Sequence, residues 1–269
     1  MKHIALAALL ACTLAPAPAL PARVEPPAGA YARLIRTHAP ALVTLKFVLE
    51  APAEFGAGEQ EMEASGVMVE KDGLVLAANS QFGGMIAMMG GPTPAIKNIR
   101  VLIGDDTKGV EATLTARDRE LDLAWIRIAT PDEAGYAHLD LEASADAGVG
   151  DRIHMVSRMG KFFDRAPLVT EAAVGGVTAK PRRLLVPNGF LLQFGMPVFG
   201  ESGRLVGITV IQSPSEEDQD DSSSGMMGET DSLRGLILPA SEVLAATARA
   251  KETAAAPTPT PTPTPPPAP

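Results

Sequence analysis

The sequence predicts an all-β protein in two halves, each built from short antiparallel strands. Three observations carry that expectation. Apolar runs of about five residues recur along the chain, and several are separated by tight-turn triplets: Lys71-Asp72-Gly73, Gly104-Asp105-Asp106 and Glu201-Ser202-Gly203. A Pro- and Gly-punctuated stretch, 132–148, divides the strand-rich segments into two sets. No repeat is evident between the halves, and aromatics make up only 4% of the chain, so the core must be built from Val, Leu, Ile, Ala and Met. Many short strands in two linked sets imply paired antiparallel barrels or sandwiches.

The elements follow in order. Tyr31, Leu34 and Ile35 are spaced for one face of a short helix that Pro40 stops. Residues 41–49 read as the first strand. Runs at 65–69 and 74–78 make the first hairpin, runs at 99–103 and 110–114 the second, and 123–128 has buried-strand composition. In the second half the expected strands are 152–156, 168–177, 184–186, 190–194, 198–199, 205–211 and 236–238. Ser241 is expected to cap a closing helix that runs through Val243, Leu244 and Ala250.

The ends differ in composition from this body. Lys2 and the apolar run 4–11 look like an export signal of about 22 residues, with cleavage after Ala19 or Ala22. The apolar run is far short of the roughly 20 residues that cross a bilayer. A second reading is a lipoprotein signal, because Leu9-Leu10-Ala11-Cys12 resembles a lipobox and Cys12 is the only cysteine. Either way the folded part has no disulfide. Residues 23–29 are Pro- and Ala-rich, and from residue 254 the chain becomes a Thr-Pro repeat suited to extended polyproline II. The expected organisation is therefore 1–22 signal, 23–29 linker, 30–130 first barrel, 131–148 linker, 149–253 second barrel and closing helix, and 254–269 tail.

A net charge of −9 and the lack of any Lys/Arg cluster beyond 180–183 exclude nucleic acid as a partner. Two loops stand out, one Met- and Gly-rich (82–97) and one acidic (213–232). The first reads as a mobile apolar loop. The second lacks the spaced ligands of a calcium loop and reads as a solvated acidic segment. No cofactor or metal site is expected.

Six segments, in order over residues 31–253, carry a family resemblance. They are 39–43 (APALV), 64–69 with 71–76 (ASGVMV and KDGLVL), 121–128 (LDLAWIRI), 150–153 (GDRI), Gly195 with Pro197-Val198 and 203–208 (GRLVGI), and 235–239 (GLILP). Together they resemble the protease domain of the HtrA/Deg proteases, bacterial members of the trypsin-like superfamily. The resemblance implies two antiparallel six-stranded β-barrels, with a short N-terminal helix and a C-terminal one. It also implies a Ser-His-Asp site, in which His takes the proton of a nucleophilic Ser and a buried Asp orients the His.

Matched residue by residue, Asp122 stands at the Asp position. The family's T-N-N-H-V is here 77–81 (AANSQ), which puts Ser80 at the His position with Gln81 beside it. The family's G-N-S-G-G-P is here 192–197 (LQFGMP), which puts Phe194 at the nucleophile position and Leu192 at the oxyanion-hole glycine. Serine is no base near neutral pH and Phe has no nucleophilic atom, so no intact catalytic set is expected. His38 is expected on the surface, His138 in the linker, and His154 in a strand as a core or barrel-edge residue. The leading expectation is a non-catalytic exported protein of the periplasm or cell envelope. Its former cleft, lined by Phe194 and Met196, would hold an extended peptide or envelope protein by strand addition. Two alternatives stand beside it: an active serine endopeptidase with an atypical site, and a purely structural protein tethered by Cys12 or the tail. Contact with a membrane is expected only through the lipid anchor, and the sequence is silent on oligomeric state.

Overall fold

A computed structural model describes residues 29–51, 58–83, 94–189, 191–212 and 235–255. The leader with Cys12, most of the Met-rich loop, the acidic loop and the Thr-Pro tail lie outside the described residues. Strands β1 (Leu42–Ala51), β2 (Gly58–Glu70), β3 (Leu74–Ala78), β4 (Ala95–Ile103), β5 (Val110–Asp118) and β6 (Leu123–Ile128) close one antiparallel barrel in the order β1-β2-β3-β6-β5-β4. Strands β7 (Arg152–Arg158), β8 (Pro167–Val177), β9 (Leu185–Asn188), β10 (Pro197–Gly200), β11 (Leu205–Val210) and β12 (Leu236–Pro239) close a second in the order β10-β11-β12-β9-β8-β7. Helix α1 (Ala30–His38) precedes the first barrel and α2 (Ala240–Ala255) follows the second.

The period-2 pattern explains how the barrels join. In β1, Val43, Leu45, Phe47 and Leu49 alternate into the first barrel's interior. In β3 both faces are buried. Val75 and Ala77 point into the barrel, while Leu74 and Leu76 join the core that holds the second barrel. β2 and β6 divide in the same way, with Val67, Val69, Leu123 and Trp125 on the shared side. Strands buried on both faces read as unbroken apolar runs, as 74–78 and 123–126 do.

The hairpin at Lys71-Asp72-Gly73 forms as expected, with Gly73 in the left-handed region at φ 91°. Several elements differ in extent or kind. Residues 191–194 form no strand, because their backbone is spent on the turn that leads into β10. Ser241 lies inside α2 rather than capping it. Leu244 faces outward, while Val243, Ala246 and Ala250 carry the buried face at helical spacing. Two parts of the expected Met-rich loop are regular structure: Phe82 is a fully buried core residue, and 95–97 open β4.

His38 is not a free surface residue. Its ring stacks on Phe199 at a centroid distance of 3.8 Å, which pins α1 to the second barrel. Burial lowers its pKa, against an opposing bond from the Gly203 backbone. His154 is buried in β7, edge-on to Tyr31 and 3.6 Å from a Glu171 oxygen.

Candidate functional site

At the end of β3 the chain enters a 3-10 turn, Asn79–Phe82, which carries Ser80 and Gln81. Opposite, just before β6, Asp122 occupies the left-handed region at φ 56° and is 1% exposed. That backbone conformation is one Asp and Asn tolerate and branched residues do not. The Asn79 N–H donates to the Asp122 carbonyl at 3.0 Å, which locks the two turns together.

Three donors converge on the Asp122 carboxylate. The Ser80 N–H reaches Oδ1 at 2.6 Å and the Ser80 hydroxyl reaches Oδ2 at 3.0 Å. The Ile211 N–H, at the end of β11 in the other barrel, reaches Oδ2 at 2.9 Å. Burial pushes the Asp122 carboxyl up from 3.8 to about 6, although the bonds from Ile211 and Ser80 pull it down. A buried carboxylate with three donors is satisfied as a structural group, with Ser80 acting as one of its donors.

Gln81 forms a second bridge. Its Nε2 donates to the Ser65 carbonyl at 2.9 Å and to the Phe194 carbonyl at 3.1 Å, and its Oε1 accepts from the Ser65 N–H at 2.8 Å. The side-chain amide thus spans β2 and the 191–196 turn. Gly195, at φ 77°, lies so close to β3 that a Cβ there would sit 2.6 Å from the Ala78 nitrogen. Its N–H donates to the Thr209 carbonyl at 2.7 Å. The Thr209 hydroxyl donates to the Gln193 carbonyl at 2.7 Å and accepts from the Met196 N–H at 2.9 Å.

Phe194 is half-buried, and a Cβ on Gly235 would lie 3.3 Å from its ring edge, so the ring is laid over the chain just before β12. Met196 does not line an open cleft. It is 1% exposed and belongs to the shared core, because Thr209 draws its backbone inward. Leu192, in contrast, is 71% exposed. Ser80, Gln81, Asp122 and Phe194 are therefore brought to one seam, with Leu192 at its rim.

Among the described residues no imidazole reaches this seam. His38 contacts Phe199, His154 pairs with Glu171, and His138 meets the Tyr136 carbonyl. The Ser80 proton sits between a hydroxyl and a carboxyl of far greater acidity, so it stays on the serine. Phe194 presents no nucleophile. Among the described residues no group of His, Cys, Asp and Glu could hold a metal ion.

Two contributors were not legible as site residues in the sequence. Ile211 acts through its backbone, which no side chain announces. Thr209 had a signal, being one hydroxyl in the otherwise apolar strand 205–211.

Two closed six-stranded barrels, with an Asp-bearing turn of one reaching the other at their seam, define the class of two-barrel serine peptidase folds. The trypsin-like peptidase domain matches residues 64–208, and the chain belongs to that family. Among solved structures, Deg5 is similar at 15% identity and a TM-score of 0.53, over 80% of this chain and 90% of that one. The protease domain of MamO from Magnetospirillum magneticum, in its apo form, matches at 20% identity and a TM-score of 0.48, over 78% of this chain and 97% of that one. No curated protein matches the chain.

Proposed function

We propose that this chain is a non-catalytic homologue of the HtrA/Deg proteases, exported to the periplasm or cell envelope, that uses the peptidase fold as a binding scaffold for an extended segment of a partner protein. The observation that carries the reading is the bond from the Ser80 hydroxyl to Asp122, in a seam whose other bank presents Phe194. Ser80, Asp122 and Phe194 stand at the positions of the His, Asp and Ser of a working triad, and Leu192 stands at the oxyanion-hole glycine. In a working site the carboxylate orients an imidazole that activates the nucleophile. Here its donors are a serine and two backbone amides. The apolar leader supports export, and Cys12 supports a lipid anchor on the exported form.

A fluorophosphonate probe tests the loss of chemistry directly. The purified protein is expected to remain unlabelled from pH 6 to 9. Covalent modification of Ser80, or of any other serine, together with hydrolysis of an unstructured protein, would show an active site built from other residues. The mass of the mature N-terminus tests the anchor: a diacylglyceryl Cys12 supports it, and a start at residue 20 or 23 removes it.

A further inference from the structure

The turn that joins β7 to β8, residues 159–166, carries apolar surface that the barrels leave uncovered. Met159 is exposed, Phe162 is 90% exposed and Phe163 is 53% exposed. The two rings meet edge-on, with centroids 5.0 Å apart. A ring nine-tenths exposed stands out from the surface and lines no groove, so the feature is a projecting wedge. Scattered exposed apolar residues are ordinary, whereas two adjacent phenyl rings and a methionine on one turn mark a contact surface.

The backbone beneath the rings is spent internally. The Met159 N–H donates to the Ala166 carbonyl at 2.9 Å and the Phe163 N–H to the Gly160 carbonyl at 2.9 Å. Asp164 donates to Lys161 at 3.1 Å, Arg165 to Gly160 at 3.3 Å and Ala166 to Phe163 at 3.0 Å. A donor already bonded loses little when water leaves, which is the condition an apolar medium sets. It also offers nothing to an added strand, whose affinity comes from main-chain bonds. The Arg158 guanidinium fixes the turn from below, through the carbonyls of Arg165 at 3.2 Å and Ala39 at 2.9 Å. Ala39 follows α1 directly, so the wedge is tied to the first described element after the leader.

The charge around the rings is balanced. Lys161 precedes them in the chain and Asp164 follows them; both are exposed, and among the described residues neither has an ion-pair partner. Beneath them Arg165 pairs with Glu63 at 2.8 Å, and Arg158 lies within electrostatic reach of Asp105. Such a rim selects neither an acidic nor a basic ligand.

A projecting apolar wedge, a spent backbone and a neutral rim fit a bilayer surface. The leader supplies the proximity: the chain from Cys12 to Gly29 can span at most about 60 Å, so an anchored copy keeps the turn close to the membrane. We propose that the 159–166 turn is a membrane-interface wedge, in which Phe162 and Phe163 enter the boundary between headgroups and acyl chains while Lys161 and Asp164 stay among the headgroups. This rests on the export and anchor reading above and not on the loss of catalysis. It adds a second membrane contact, made by the fold itself.

Phe162→Trp in the mature protein puts a reporter on the wedge, because Trp125, the only native tryptophan, is buried. With phosphatidylcholine vesicles its emission is expected to shift to the blue, and lipid brominated on the acyl chains should quench it about twofold. The wild type, which reports only Trp125, should stay unquenched. Adding Phe163→Ser should remove about half of the quenching or more, because the wedge loses one of its two rings. Both side chains are exposed, so the variants keep the wild-type circular dichroism spectrum.

Equal quenching with phosphatidylcholine alone and with added phosphatidylglycerol, at low and high salt, is the expected mark of the balanced rim. Quenching that needs the anionic lipid and vanishes in salt would show a charge-driven contact and overturn the wedge. No quenching in a protein that starts with a diacylglyceryl Cys12 would sink the wedge and spare the anchor. Quenching in a protein that starts at residue 20 or 23 would remove the anchor and keep the wedge. No quenching in that shorter protein would overturn both. A blue shift without vesicles that grows with protein concentration would assign the rings to a second copy and overturn the assignment to lipid.

Discussion

At the scale of single residues, Asp122 couples the seam to pH. Its folded pKa of about 6 lies above the ordinary 3.8, so the fold favours the protonated acid. The contribution is fully present below about pH 4 and is lost as pH rises through about 6. Two pKa units set its ceiling near 3 kcal/mol, by about 1.4 kcal/mol per unit. Asn suits the left-handed backbone at position 122 and cannot ionise, so Asp122→Asn serves as the reference. The expected result is a stability difference, wild type minus variant, that falls by about 2–3 kcal/mol between pH 4 and pH 7 in urea denaturation. A difference that stays level across that range would show that Asp122 does not titrate there. Ser80 is legible in the sequence only as a misfit in a family motif, and its role as the carboxylate's partner depends on two turns 42 residues apart in the chain.

At the scale of elements, α2 is held by an apolar bed and one buried polar contact, with ion pairs of Arg249 to Asp118 and Lys251 to Glu70 at its surface. The indole N–H of Trp125, on β6, donates to the Thr247 hydroxyl at 3.1 Å, and that hydroxyl donates to the Val243 carbonyl at 2.8 Å. Thr247→Val keeps the shape and strands a buried N–H, a change expected to cost about 1–3 kcal/mol. Trp125 is the sole tryptophan, so its emission reports the change directly. An unaltered spectrum with unaltered stability would show that the indole finds another acceptor. Gly195 is the element-scale counterpart at the seam. Gly195→Ala meets both a positive φ and a Cβ 2.6 Å from the Ala78 nitrogen, so it should destabilise the protein by several kcal/mol and disturb the 191–196 turn. Guanidinium denaturation checks it, and a loss within about 0.5 kcal/mol would mean the turn moves freely.

At the scale of the whole molecule, the barrels share a core. Val67, Leu76 and Trp125 from the first pack in one cluster with Ile153, Val198 and Ile208 from the second. The bonds from Ile211 to Asp122 and from Gln81 to Phe194 cross the same seam. Neither barrel can lose its packing without exposing the other's apolar face, so unfolding is expected to be a single transition. Trp125 fluorescence and far-UV circular dichroism should give coincident urea curves. Separate midpoints would show that the barrels unfold independently. Gln81→Ala, which removes one bridge, should lower the midpoint and leave the curves coincident.

The sequence by itself determined the fold class, the halves and most strands, because alternation in residues 43–47 and unbroken apolar runs at 74–78 and 123–126 are local signals of burial. The family resemblance singled out Ser80, Asp122, Leu192 and Phe194 as candidate site positions, because motifs are read along the chain. Only the tertiary structure decided what those residues touch. It buried Met196, pinned His38 to Phe199, left residues 191–194 without a strand, and tied the Gln193 side chain to the Arg158 carbonyl. Each outcome depends on backbone groups and neighbours far along the chain, such as Thr209 for Met196 and Arg158 for Gln193. Such contacts have no local pattern and arise only when two closed barrels meet.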